Sequence, residues 1–206
     1  MLFHRFVLGE LVTNCYLVAN EDTKNAILFD APAEAGKILD YLKKNGLNLK
    51  KVFLTHSHFD HILALCEIID ATNAELLMHK EEEKYFKDPN LNLAGEHWEK
   101  LNLPDSYKLL FDNDDLVFDG INIKVIHTPG HTQGSTCYLV NDILISGDTL
   151  FSGSIGRTDF PLGSFDDEIQ SIKNKLMLLD DAIKVYPGHG FSTTIGKQRK
   201  ENPYLI

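Results

Sequence analysis

The stretch on which the reading of this chain turns is Thr55-His56-Ser57-His58-Phe59-Asp60-His61. It follows Lys51-Val52-Phe53-Leu54, an apolar run whose β-branched and aromatic residues predict a buried strand. Ile62-Leu63-Ala64-Leu65-Cys66 continues beyond it with helical composition, and one helix is expected to run to about residue 70. Three imidazoles and a carboxylate thus crowd the turn where a strand hands over to a helix. Neutral imidazole nitrogens and carboxylate oxygens are ligands of the zinc or iron type, which gives such crowding a chemical reason.

Three later segments offer matching donors. His131 lies in Thr128-Pro129-Gly130-His131-Thr132, Asp148 in Ser146-Gly147-Asp148-Thr149, and His189 in Tyr186-Pro187-Gly188-His189-Gly190. Each is a glycine-containing turn beside a strand-like run, the kind of loop that lifts side chains above a rigid sheet. In this order the four segments resemble the metallo-β-lactamase superfamily, whose ligands come as His-x-His-x-Asp-His followed by His, Asp and His. The resemblance implies an α/β protein with a four-layered αββα sandwich. It further implies that His56, His58 and His131 hold one divalent ion, Asp60, His61 and His189 a second, and that Asp148 bridges them. Zinc is the expected metal, with iron and manganese as alternatives. Asp60 and Asp148 are then also the catalytic carboxylates, and a metal-bridging hydroxide is the expected nucleophile.

Composition narrows the class. The chain has 206 residues, 43% of them hydrophobic, enough for a sizeable core and too many for a disordered chain. No linker or repeat divides it, so one domain over 1–206 is expected. The formal net charge of −10 argues against a nucleic-acid surface, whereas bound cations would still let the site attract a small anionic substrate. Cys15, Cys66 and Cys137 are widely spaced and odd in number, as expected of small buried residues in a reducing compartment. With no signal-like N-terminus and no apolar run of spanning length, a cytoplasmic protein without membrane contact is expected, with a monomer as the working oligomeric state.

In chain order the pattern predicts strands at 2–7, 15–19 and 26–29, a helix over 33–44 ended by Asn45-Gly46, the strand 51–54, and a short strand at 75–78. A polar helix is expected to open at Lys80-Glu81-Glu82-Glu83. Residues 87–115 break the pattern, with an amphipathic turn expected over 96–101. Strands return at 121–126, 135–140 and 143–146, then a helix over 165–178 and a strand at 183–186. His4, His79 and His97 are expected at the surface or in packing, and His127 as a supporting residue outside the ligand set.

A narrower resemblance rests on Gly153-Ser154-Ile155-Gly156-Arg157-Thr158-Asp159-Phe160, on Tyr186-Pro187-Gly188-His189-Gly190 and on the closing Asn202-Pro203-Tyr204. These look like the short glyoxalase II-like proteins, which hydrolyse thioesters of the acyl-glutathione type. Arg157 then either meets a substrate carboxylate or braces the metal loop, and Asp159 anchors neighbouring backbone amides. The chain departs from the family in having Ile62-Leu63-Ala64 where glycines commonly follow Asp60-His61. Lys197, Arg199 and Lys200 form its late basic cluster. The alternative is a persulfide dioxygenase of the same superfamily, with one iron on His56 or His58, His131 and Asp148.

Overall fold

Side chains alternate across a strand, and here the alternation sorts the apolar residues into three cores. A computed structural model, which describes residues 1–95 and 101–206, shows how the elements divide between them. The first half runs β1 (Leu2–Leu8), β2 (Thr13–Ala19), β3 (Asn25–Phe29), α1 (Ala35–Asn45), β4 (Asn48–Phe53), α2 (Phe59–Ile62), α3 (Leu65–Thr72), β5 (Glu75–His79), α4 (Glu83–Lys87) and β6 (Lys108–Leu110). Its six strands form one sheet in chain order, antiparallel through β1, β2 and β3 and parallel from β3 to β6.

The second half runs β7 (Asp115–Phe118), β8 (Ile121–His127), β9 (Thr136–Val140), β10 (Ile143–Gly147), β11 (Leu150–Phe151), β12 (Ser154–Ile155), α5 (Phe165–Asn174), β13 (Lys184–Pro187), β14 (Thr193–Thr194) and α6 (Ile195–Glu201). The second sheet has the order β14-β13-β10-β9-β8-β7, with β10 and β13 parallel, while β11 and β12 pair separately.

Tyr16, Val18, Ile27, Phe29 and Phe53 of the first sheet meet Val125, Tyr138, Ile143 and Ile145 of the second in the central core. Their chain neighbours Leu17, Leu28 and Val52 face the opposite way, onto Ile38 and Leu42 of α1 and Leu65 and Ile68 of α3. Cys137 and Leu144 face Ile172 of α5 and Ile195 of α6. The result is helix, sheet, sheet, helix, the expected αββα sandwich. Full burial of each such Leu, Ile or Phe contributes about 1.5–3 kcal/mol.

Several boundaries differ from expectation for local reasons. The helix after the His-rich turn is two helices, because the backbone at Ala31 intrudes: Ala31 N–H donates to the His61 carbonyl at 2.8 Å, and Ala64 N–H donates to the Ala31 carbonyl at 2.9 Å. The helix expected over 165–178 ends at Asn174; Lys175 leaves helical geometry and a 3-10 turn covers Leu176–Leu178. Within 87–115 and just beyond it, two short strands, β6 and β7, are too brief to show a period, and both end their sheets. The amphipathic turn expected over 96–101, with His97 and Trp98, falls almost wholly on residues 96–100, outside the described residues. His79 is buried rather than superficial and stacks on His127 at 3.9 Å between centroids. His4 stacks on Tyr41 at 4.1 Å. Cys15 and Cys137 are buried, while Cys66 is only partly so.

Two tyrosines of the central core tie the sheets together where the turns begin. Tyr138 of β9 donates its hydroxyl to the Leu54 carbonyl at 2.7 Å, and Tyr16 of β2 donates to the Pro187 carbonyl at 2.6 Å. Both are buried, so an orphaned acceptor would be costly. Tyr138→Phe is therefore expected to lower unfolding free energy by about 1–3 kcal/mol in urea denaturation, with an unchanged m-value. An unaltered midpoint would show that the Leu54 carbonyl finds another partner.

Candidate metal centre

The donors sit where strands end. Asp30 follows β3, the His-rich turn follows β4, His131 follows β8, Asp148 follows β10, and His189 follows β13. Such crevices outside the carboxyl ends of strands are the usual binding places of open α/β sheets. The structure brings all seven sequence-derived residues to one place. Single donor atoms of His56, His58 and His131 lie within 4.8 Å of one another, as do those of His56, His61 and Asp148, and those of Asp60, His61 and His189.

The outer nitrogens explain how the rings are aimed. His131 Nδ1 donates to the Arg157 carbonyl at 2.7 Å, leaving Nε2 as a lone pair 3.2 Å from His56 Nε2 and 2.8 Å from His58 Nδ1. Nitrogens sharing one tetrahedral zinc at about 2.0–2.1 Å stand roughly 3.3 Å apart, close to this spacing. His61 Nδ1 donates to Asp30 Oδ2 at 2.9 Å, and its Nε2 faces Asp60 Oδ2 and Asp148 Oδ1 at 3.6 Å each. His189 Nδ1 reaches the Leu11 carbonyl at 3.2 Å, and its Nε2 faces Asp60 and Asp148 at 3.3 and 3.4 Å. His61 Nε2 and Asp148 Oδ1 are buried without a hydrogen-bond partner. Orphaned, buried, of complementary chemistry and turned toward one point, these atoms fit a divalent cation.

The space is made by glycine. A Cβ on Gly188 would strike the Asp148 carboxylate and come within 2.8 Å of His61 Cε1. Gly147, at φ +48°, takes a left-handed turn against the Thr55 side chain, where a Cβ would approach Thr55 Cβ to 2.5 Å.

The seven residues fall into two electrostatic sets. Burial and then the neighbouring rings push His56 well below the ordinary imidazole value, and His58 down to about 3; burial lowers His131 as well. Burial acts the same way on His61 and His189, but carboxylates outweigh it. Asp60, Asp30 and Asp148 hold His61 up to about 9, and Asp148 and Asp60 hold His189 up to about 10. For Asp60 and Asp148, burial opposes ionisation, yet the facing imidazoles keep both below the usual carboxylate range.

Three buried acids that the sequence reading left aside support these donors. Asp30 accepts from Thr55 N–H and Thr55 Oγ1, both at 2.8 Å, besides His61. Glu82 accepts from Ser57 N–H at 2.7 Å and Thr132 Oγ1 at 2.7 Å, joining the His56–His58 turn to the His131 loop. Glu168 accepts from His131 N–H at 2.9 Å. Only Asp30 left a signal, an acid at the end of a strand just where the parallel neighbour carries the His-rich turn. Thr13 Oγ1 adds a bond to Asp60 Oδ2 at 2.8 Å.

Arg157 lies beside the centre through its backbone. Its exposed guanidinium pairs with Asp159 at 2.9 and 2.8 Å and covers the Phe160 ring at 4.4 Å. The carboxyl group of Asp159 is thus engaged by Arg157. The Gly153 loop and the closing Asn202 do meet: Gly153 N–H donates to Gln198 Oε1, and Asn202 Nδ2 donates to the Ser154 carbonyl at 3.0 Å. Of the late basic cluster, Arg199 donates to the Met177 and Leu179 carbonyls, a structural use. His127 sits outside the donor groups, with Nε2 on the Gln133 carbonyl at 2.8 Å. Among the described residues no helix is long and apolar enough to cross a membrane.

Residues 8–189 match the family described as the metallo-beta-lactamase superfamily. The chain is 35% identical over 200 residues to hydroxyacylglutathione hydrolase GloC of Haemophilus influenzae, covering 93% of this chain and 92% of that protein. The solved structure of BLEG-1 B3 metallo-beta-lactamase is similar at 35% identity and a TM-score of 0.92, with both chains covered fully. That of TTHA1623 in a di-iron-bound form is 32% identical with a TM-score of 0.84, covering 98% of this chain and all of the other.

The two electrostatic sets give a pH-dependent loading order. His56, His58 and His131 are neutral at neutral pH and need shed nothing, whereas His61 and His189 hold protons below about 9 and 10. A cation must displace those protons, so its affinity for their group rises with pH and levels off above those values. Zinc titrated calorimetrically into metal-free protein is expected to bind one equivalent at about pH 6 and two at about pH 8.5, with proton release accompanying the second. Two equivalents bound equally well at the lower pH without proton release would contradict this order.

Proposed function

Because the chain belongs to the metallo-beta-lactamase superfamily, we propose that it is a dinuclear metal-dependent hydrolase that cleaves a thioester of the acyl-glutathione type in the cytoplasm. The observation that carries the proposal is the pair of donor groups, His56/His58/His131 and Asp60/His61/His189, with Asp148 facing both. The likeness to GloC supports the thioester. In the seven residues we read the ligands, with zinc preferred and iron or manganese able to replace it. Two such ions supply an acidified water and positive charge for the developing oxyanion.

The protein's own part is to place and to hold. Asp30 and the carbonyls of Arg157 and Leu11 take up the outer ring nitrogens, so that the inner nitrogen is the one turned to a cation, His61 and His189 after giving up their second proton. Asp60 accepts a hydrogen bond from Thr13 Oγ1, and we read it as the residue that would orient the attacking water. Hydrolysis joins the water oxygen to the acyl carbon, breaks the C–S bond and leaves one proton with the departing sulfur. No side-chain nucleophile is needed, and burial pushes the Cys15 and Cys137 thiols upward, away from reactive thiolate. A single iron on two histidines and one carboxylate, as in persulfide dioxygenation, would leave Asp60, His61 and His189 outside the ligand set. The hydrolase reading is preferred because the likeness to GloC adds to the second donor group.

The test pairs metal analysis of protein purified without chelator with S-lactoylglutathione hydrolysis. Two ions per chain and turnover are expected, and Asp148→Ala should lower kcat by at least about a hundredfold while losing metal. One iron with oxygen uptake on a persulfide would replace this reading with the oxidative one. Arg157→Ala is expected to raise KM with kcat and metal content nearly unchanged, because the guanidinium is exposed and the His131 bond is to a backbone oxygen. Loss of metal in that variant would make Arg157 a brace rather than a substrate contact.

A further inference from the structure

A cavity of about 730 Å³ opens from the Asp60 end of the donor cluster. Its walls are apolar: Leu8 and Leu11 from the β1–β2 hairpin, Pro32 and Ala33 after β3, and Phe59 and Leu63 from the His-rich turn and its helix. Thr13 and Asp60 are among its lining residues, so the cavity reaches the proposed centre. No lysine or arginine is among its lining residues. Its other charged groups are the carboxylates of Glu10 and Glu34, the latter already paired with Lys37.

The hairpin wall is held in place by groups that also serve the donors. Leu11 offers its carbonyl to His189 Nδ1, and Thr13 bonds Asp60, so Leu11 and Thr13 are anchored on either side of Val12. Val12 itself sits at φ 58°, a left-handed conformation that a β-branched residue rarely adopts. Leu11 and Val12 nonetheless stay more than half exposed, and Leu63 across the cavity is 38% exposed. Large apolar side chains held open to solvent beside a polar centre are suited to an apolar ligand segment.

Resting on the hydrolase reading, we propose that this cavity binds the acyl half of the thioester and that the preferred acyl group is an uncharged aliphatic chain, with the thiol half lying toward Arg157 and Phe160 at the His131 end. An acyl group ending in a carboxylate would meet Glu10 with no cation among the lining residues to receive it, since Lys37 at the margin is already paired with Glu34, and a short hydroxyacyl group would leave the leucines in water.

The product carboxylates provide a test that does not depend on turnover. Acetate, butanoate, hexanoate and octanoate are titrated calorimetrically into the zinc-loaded protein. Affinity is expected to climb about fourfold for each methylene that enters the cavity. The dicarboxylate adipate should bind more weakly than hexanoate. In Leu63→Ser and in Leu63→Asn, both at one exposed position, the increment should shrink toward onefold while acetate binding and zinc content stay as in the parent. Equal affinity along the series, or an undiminished increment in both variants, overturns the assignment. A chain-length increment that disappears in the variants, in a protein that cleaves no thioester, would uphold the cavity and overturn the hydrolase reading alone. Rapid cleavage of S-lactoylglutathione with a flat carboxylate series would do the reverse.

Discussion

The carboxylate of Asp30, buried and committed to three hydrogen bonds, determines where the turn carrying four of the seven donors can run. One oxygen accepts the Thr55 amide; the other takes the Thr55 hydroxyl and His61 Nδ1. A buried carboxylate without such donors would cost several kcal/mol, so the chain around it has little freedom. Asp30 itself adopts a left-handed backbone at φ 62° and donates its N–H to the Phe53 carbonyl, the last residue of the neighbouring strand. Parallel pairing of β3 with β4 brings both ends to the same edge, and this one side chain converts that register into the aim of an imidazole.

The other half of the centre depends on a comparable economy of buried acids. Glu82 spans Ser57 and Thr132, and Glu168 receives the amide of His131, so the ring that faces His56 and His58 is held by its backbone from two directions. Burial pushes Glu82 up to about 7 and Glu168 up to about 9. Neither acid has a cationic side chain as a hydrogen-bond partner among the described residues. Cross-sheet main-chain bonds complete the support: Thr136 N–H to the Thr55 carbonyl, and Asn14 N–H to the Gly188 carbonyl.

Much of this was legible in the sequence, for reasons that can be stated. Runs such as 15–19 and 121–126 announced their strands by different signals: residues 15–19 are an unbroken apolar run buried on both faces, while Ile121, Ile123 and Val125 are buried in alternation with exposed Asn122 and half-buried Lys124. The seven donors stood out because imidazoles and carboxylates are costly to crowd at strand ends, and the structure does place them around one point. The strands β6 and β7 were not legible, since three or four residues at a sheet margin carry no readable alternation. The break between α2 and α3 was hidden as well, because it arises from the distant Ala31 backbone competing for the His61 carbonyl. Asp30, Glu82 and Glu168 drew no site role from the sequence, although Asp30 ends a strand beside the His-rich turn; the tertiary fold turns all three inward.

The division of the donors along the chain has a consequence for assembly. His56, His58, Asp60 and His61 follow a strand of the first sheet, while His131, Asp148 and His189 follow strands of the second. During synthesis the first sheet can form its pairings long before its counterpart leaves the ribosome. Each proposed three-residue group draws on both sheets, so neither can close on a cation at that stage. The nascent half-protein would offer exposed histidines of weak, indiscriminate affinity, and selective capture would wait for the sheets to dock. Metal acquisition would thus report the docking of the two sheets rather than guide the pairing of the first.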